Sequence, residues 1–244
     1  MKFFFISFLL VTVAYSQSSG KVKYKFYVPL NIEKVPSQEA KNFISKMVEY
    51  ANKQEFEMTF NKLQSKFLYI EKLSHEPNYE HKVNNIARTA FTSPDTYTDI
   101  YHKKQVLIMN DGNTIESKIE NKNWEITTES KNIGDYLCYK AIQKIPFVDR
   151  KGVVRTKEII AWFAPSLPYS YGPKISIGLP GLVLEHTEDG KTFIATKIEL
   201  FNKKVEIDFP KGKTIPKEEY ERKLEASMGG VIIGKKREKE KNSQ

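Results

Sequence analysis

The stretch GPKISIGLPGLVLE, Gly172 to Glu185, decides how this chain is read. Two prolines and three glycines stand beside a run of large apolar residues. Pro173 and Pro180 fix φ and remove a backbone donor. Gly172, Gly178 and Gly181 permit positive φ or close backbone approach. Such a segment is a sharply shaped turn, and Leu182–Glu185 reads as the strand that follows it.

Working outward, short strands recur on both sides. Upstream, Tyr97–Tyr101, Val106–Met109, Ile115–Ile119, Trp124–Thr128, Asp135–Lys144 and Thr156–Phe163 are separated by turn signals such as Asn110-Asp111-Gly112-Asn113 and Lys151-Gly152. Downstream, Leu182–His186, Phe193–Phe201 and Val205–Phe209 continue the series around Glu188-Asp189-Gly190. Regular short strands with such turns indicate an antiparallel meander. Nearer the start, Val22, Tyr24, Phe26 and Val28 alternate with polar residues and Tyr27, the mark of a half-buried strand. Ala40, Phe43, Ile44, Met47, Val48 and Ala51 form a helical stripe with Ser37 as its N-cap. Phe56, Met58 and Phe60 predict another strand, and Leu63–Leu73 a strand apolar on both faces. Ser74–Asp95 loses the pattern and reads as an insertion loop with one short helix. Lys217–Ser227 predicts a short charged helix. The fold class expected is mainly β (α+β): a strongly curved antiparallel sheet meander with one or two helices packed on it.

The chain has 244 residues and a formal net charge of +9. It opens Met1-Lys2, then FFFISFLLVTVA, then Tyr15-Ser16-Gln17, the pattern of a signal peptide cleaved between Ser16 and Gln17. The organisation expected is a signal peptide over 1–16, one domain over 17–228 and a mixed-charge tail over 229–244. Export places the protein in a periplasm, at a cell surface or outside the cell. No later stretch has the length and polarity of a membrane helix. The lysines are scattered among glutamates rather than gathered in a block, which with export argues against a nucleic-acid partner. Cys138 is the single cysteine, so no intramolecular disulfide forms. A lone thiol is either buried or reactive, and Tyr136, Leu137, Tyr139 and Ala141 around it favour burial in a strand.

The search for chemistry is mostly negative. His75 and His81, with Glu76 and Glu80, stand in HEPNYEH, but Tyr79 and Pro77 occupy the positions where helical zinc motifs need histidine. A solvated polar loop is the favoured reading. His102 and His186 stand alone near strand ends and read as surface residues. Ser176 comes nearest to a nucleophile elbow, yet Lys174 holds the first glycine position and no histidine–acid pairing can be inferred for it. No catalytic residue, cofactor site or metal site is assigned. Tyr169 and Tyr171 either pack the turn, the favoured reading, or stand with Gly178, Leu179, Pro180 and Gly181 as a candidate binding rim.

The motifs taken together resemble the GLPGLI family, small exported proteins found mostly in Bacteroidetes. Gly178-Leu179-Pro180-Gly181-Leu182-Val183 matches the naming hexapeptide except for its last residue. Trp124, the run Ile133-Gly134-Asp135-Tyr136-Leu137-Cys138-Tyr139-Lys140-Ala141, the strand Ala161-Trp162-Phe163-Ala164-Pro165, and the pairs Leu167-Pro168 and Gly172-Pro173 follow the family's order. Asp135 is an extra residue, Ala164 stands where a hydroxyl is usual, and Ser176 and Ile177 depart from the usual aromatic and small residue. The resemblance covers about Trp124 to Phe201. It implies export, no established activity or cofactor, and a sheet like those of periplasmic lipoprotein carriers. The expected function is a non-enzymatic envelope binding module for an apolar ligand or a protein partner. A protein–protein interaction or structural envelope component without a ligand pocket is the alternative, and a hydrolase the less favoured one.

Overall fold

Alternation at period two shapes the centre of the molecule. The computed structural model describes residues 18–71, 78–120, 122–148, 153–174 and 176–226. Strand β1 (Ser19–Tyr27) buries Val22, Tyr24 and Phe26 and turns Lys23, Lys25 and Tyr27 to solvent. Helix α1 (Gln38–Asn52) follows, capped by the Ser37 hydroxyl, which accepts from the Ala40 amide at 3.2 Å. Its second half buries Met47, Val48, Tyr50 and Ala51, whereas Phe43 of the predicted stripe is exposed.

Strands β2 (Glu55–Asn61) and β3 (Gln64–Tyr69) lead to helix α2 (Asn78–Phe91). This helix replaces most of the expected insertion loop. Its buried Val83 and Ala87 join the core, and Arg88 bonds Asp95 at 3.1 Å. Next come β4 (Asp95–Asp99), β5 (Lys104–Ile108), β6 (Thr114–Lys118), β7 (Glu125–Ile133), β8 (Tyr136–Val148) and β9 (Val154–Ala164). After the glycine–proline loop lie β10 (Leu182–Glu188), β11 (Lys191–Phe201), β12 (Ile215–Pro216) and α3 (Lys217–Ala226).

All the strands join one 12-stranded sheet in the order β12-β6-β5-β4-β3-β2-β1-β11-β10-β9-β8-β7. Two antiparallel meanders therefore flank β1, and among the described residues only β12 pairs in parallel, with β6. The strand expected over Val205–Phe209 does not form. Its alternation is real, for Ile207 is buried and Phe209 stacks 5.5 Å from Tyr97, and Asn61 donates to the Val205 carbonyl at 2.9 Å. Among the described residues the segment has no strand partner, so its side chains are held without a ladder.

Register shows which side chains share the buried face, because directly paired residues point the same way. On one side the ladder runs Val22, Met58, Phe67, Thr96, Leu107, Ile115. On the other it runs Phe26, Phe193, His186, Ala161, Ala141. At the centre Phe26, Phe56, Phe67 and Phe193 pack ring on ring, with centroids 4.9 Å apart for Phe26–Phe193 and 5.3 Å for Phe56–Phe67. Each such buried side chain contributes roughly 1.5–3 kcal/mol relative to exposure. Thr96 and Leu107 from one arm line the same cavity as His186, Gln143 and Ile159 from the other. An open sheet brings strands so far apart in its order together only by curling, which is the curvature read from the sequence.

Cys138 in β8 is fully buried, and burial pushes its thiol up to about 11 despite nearby Lys131. A disulfide reagent added to native protein should label it only as fast as the sheet opens; rapid labelling at neutral pH would contradict this packing. Gly181 lies so close to β9 that an added Cβ would sit 2.3 Å from the Ala164 carbonyl oxygen, whereas Gly178, at φ +90°, faces open space. Gly181→Ala should cost about 1–3 kcal/mol in urea unfolding because backbone must move. Gly178→Ala should cost about 1–2 kcal/mol from conformation alone.

Candidate functional site

The loop between β9 and β10 lies over the sheet and delivers its side chains to the buried face. Backbone bonds fix it: the Leu182 amide to the Leu167 carbonyl at 2.9 Å, and the Val183 amide to the Tyr171 carbonyl at 2.8 Å. The Trp124 indole donates to the Ile177 carbonyl at 2.9 Å, and the Gly178 amide donates to the Ser170 hydroxyl at 2.8 Å. A bulge at Leu184 in β10 changes the parity of that strand. Val183 pairs with Phe163, but Glu185 pairs with Trp162 and His186 with Ala161. One residue is thus extra, so Val183 and His186, three apart, share the inward face.

The bulge brings His186 to Ser176. The serine hydroxyl is 2.7 Å from His186 Nδ1, and the two residues are 2 % and 3 % exposed. His186 Nε2 stands 3.7 Å from a Glu188 oxygen, beyond hydrogen-bond reach, and has no other partner among the described residues. Glu188 is ion-paired with both Lys157 and Lys174, and Lys157 also reaches Asp189 at 3.5 Å. Burial pushes the Glu188 carboxyl up, but His186 and the two lysines outweigh it and hold the group well below the usual carboxylate range. Burial lowers His186, Glu188 opposes this, and the positive lysines add to the lowering, so the imidazole is held neutral.

These groups border a cavity of about 230 Å³. Its walls are mainly apolar: Pro94, Leu107, Trp124, Ile145 and Ile159. Ser176, His186, Glu188, Lys174, Lys122 and the buried Ser93 supply the polar part, and the Ser93 hydroxyl also has no partner. A second cavity of about 230 Å³ shares Leu107 and Lys122 and lies beside Tyr220 and Leu224 of α3.

The residues singled out from sequence fall differently. Tyr169 and Tyr171 are 5 % and 1 % exposed and pack on Phe60, with centroids at 4.6 Å and 6.4 Å, as the packing reading expects. Leu179 and Gly181 are buried too, so four of the six residues proposed for the rim do not face solvent. Their burial follows from the loop lying flat on the sheet. Gly178 and Pro180 are exposed, and Gly178 borders a cleft with Lys122. His186, read as a surface residue, is interior; the reading missed the bulge that turns it inward. His102 is exposed and pairs with Asp99 at 3.0 Å. His81 is exposed on α2, and Glu80 reaches Lys46 at 4.0 Å. His75, Glu76, the cleavage residues Ser16 and Gln17, and the tail lie outside the described residues. Among the described residues no group of three or more His, Cys, Asp or Glu is placed to hold a metal. Nor is any helix there long and apolar enough to cross a membrane.

A family model described as "Protein of unknown function (Porph_ging)" matches residues 143–185. The match includes the C-terminal end of β8, β9, the loop with Ser176, and the glycine–proline hexapeptide. No curated protein matches. Two solved structures are similar in fold. "Structure of PNGF-II in P21 space group" is 14% identical, covers 84% of this chain and 32% of that chain, and has a TM-score of 0.50. "Structure of PNGF-II in C2 space group" is 14% identical, covers 78% and 28%, and has a TM-score of 0.46. The chain thus spans about a third of the length of the first.

The site makes stability depend on pH through two groups. The folded chain binds the His186 proton less readily than the unfolded chain, whose ordinary value is 6.5. Stability from this group is full above pH 6.5 and is lost as the pH falls from there through the folded value. Glu188 acts lower: its contribution is present above its ordinary 4.5 and is lost as the pH falls through its depressed folded value. In urea titrations, His186→Gln should flatten the slope of stability between pH 6.5 and 4.5, and Glu188→Gln the slope below it. An unchanged slope in the histidine variant would show that His186 is not held neutral.

Proposed function

We propose that this chain is an exported, non-enzymatic binding module that takes a small, mainly apolar ligand into the cavity between the two arms of the sheet. The observation that carries the reading is the lining itself: apolar walls from Pro94 and Leu107 on one arm and Ile145 and Ile159 on the other, with a few convergent polar groups at one place. That combination is the usual form of a small-molecule site. Export rests on the residue pattern over 1–16.

Two rivals are weaker on physical grounds. A hydrolase would have Ser176 attack while His186 takes its proton and becomes an imidazolium. Burial and two lysines oppose that cation, and Glu188 is already shared between those lysines and stands 3.7 Å away. A protein partner adding a strand would use β7, paired only through β8. Its register breaks between Ile126 and Ser130, and such irregular edges resist strand addition.

The uncharged fluorophore N-phenyl-1-naphthylamine should brighten on binding the native protein. Ile145→Trp, which fills the cavity from β8, should weaken that binding by about tenfold or more while leaving the unfolding midpoint nearly unchanged. Equal binding by a folded variant would place the ligand elsewhere.

A further inference from the structure

The cavity also constrains what its ligand carries. Lys157 and Lys174 are matched by Glu188 and Asp189. Lys122 is different. It is half-buried, it borders both apolar cavities, and no carboxylate among the described residues forms an ion pair with it. Glu120 and Glu188 attract it and Lys217 repels it; Glu120 borders the second cavity, and Glu188, on the first, is ion-paired with Lys157 and Lys174. A half-buried ammonium without a partner costs free energy that an incoming anion removes.

A second observation points to the same place. His186, 3 % exposed, lines the cavity with Nε2 unpartnered, and the Ser93 hydroxyl on the same lining is also unpartnered. Buried polar atoms without partners are rare in folded proteins. Where Ser176 donates its hydroxyl hydrogen to Nδ1, a neutral His186 carries its own hydrogen on Nε2 and is a donor. A cation and a neutral donor then stand at the polar end of a mainly apolar space, where Glu188 is already neutralised by Lys157 and Lys174. A carboxylate suits them, because it offers two oxygens and one negative charge.

We infer that the ligand is a small apolar monocarboxylate, such as a short-chain fatty acid, whose carboxylate is read by Lys122 and His186 while its chain lies between Leu107, Ile145 and Ile159. This rests on the cavity reading above. The neutral His186 adds a hydrogen bond without adding charge, so the site favours one charge rather than two.

The test compares octanoate with octanol by calorimetry on the full chain, with Lys122→Met alongside. Octanoate should bind about tenfold or more tighter than octanol, and Lys122→Met should remove most of that preference. The urea midpoint of the variant shows that it is folded. Equal binding of the two by the native chain, or octanol the tighter, overturns the carboxylate inference and leaves the apolar site standing. A preference that survives Lys122→Met overturns the assignment to Lys122. Binding of neither overturns the apolar site and the inference together.

Discussion

The close approach of the loop to the sheet is the constraint on which the structure depends. At Gly172 an added Cβ would meet the Val183 side chain at 2.5 Å, and at Gly181 it would meet the Ala164 carbonyl at 2.3 Å. Two absent side chains let one backbone lie on another. Tyr24, from the central strand, closes the arrangement by donating its buried hydroxyl to the Val183 carbonyl at 2.7 Å. Fully desolvated, that phenol titrates well above its ordinary range and stays a donor. Strand β1, the loop and β10 are thereby fixed to one another, and Ser176 is held against His186.

Around that fixed point charge is arranged unevenly. The imidazole sits among groups that keep it neutral, while the carboxylate beside it is kept ionised by two lysines. The same burial that raises the Cys138 thiol lowers His186 and Lys122, because in each case it penalises the charged form. Glu120 and Glu188 oppose this penalty at Lys122, but neither forms an ion pair with it among the described residues. The polar end of the cavity is thus defined by an imbalance, and its apolar walls by the ordinary inward positions of the strands.

Strands were legible in the residues because a half-buried sheet imposes period two, and Val22, Tyr24, Phe26 and Phe56, Met58, Phe60 display it without interruption. Val205, Ile207 and Phe209 display it equally without pairing, since alternation reports burial of alternate side chains and not a ladder of hydrogen bonds. Helix α2 reads weakly because its apolar stripe is narrow, with Val83 and Ala87 its buried residues among those described. The candidate site was not legible. Its serine and histidine belong to a loop and a strand whose juxtaposition depends on one extra residue, Leu184, and a bulge leaves no mark in composition. The glycines and prolines did announce a shaped turn, but which side chains it would bury follows only from where the turn rests.

The place of β1 in the sheet order has a consequence for how the chain is made. The first described strand lies at the centre, between β2 and β11, so its second edge is completed only by residues 191–201. During synthesis β1 to β6 can pair in sequence, each strand with the one just before it. Throughout that time one edge of this central strand stays open. Pairings between distant segments are slow to form, and unpaired edges recruit other chains. A nascent chain stopped before β11 therefore holds two unjoined parts of the sheet with one edge of β1 bare, which makes the interval before β11 emerges the period of greatest exposure to aggregation.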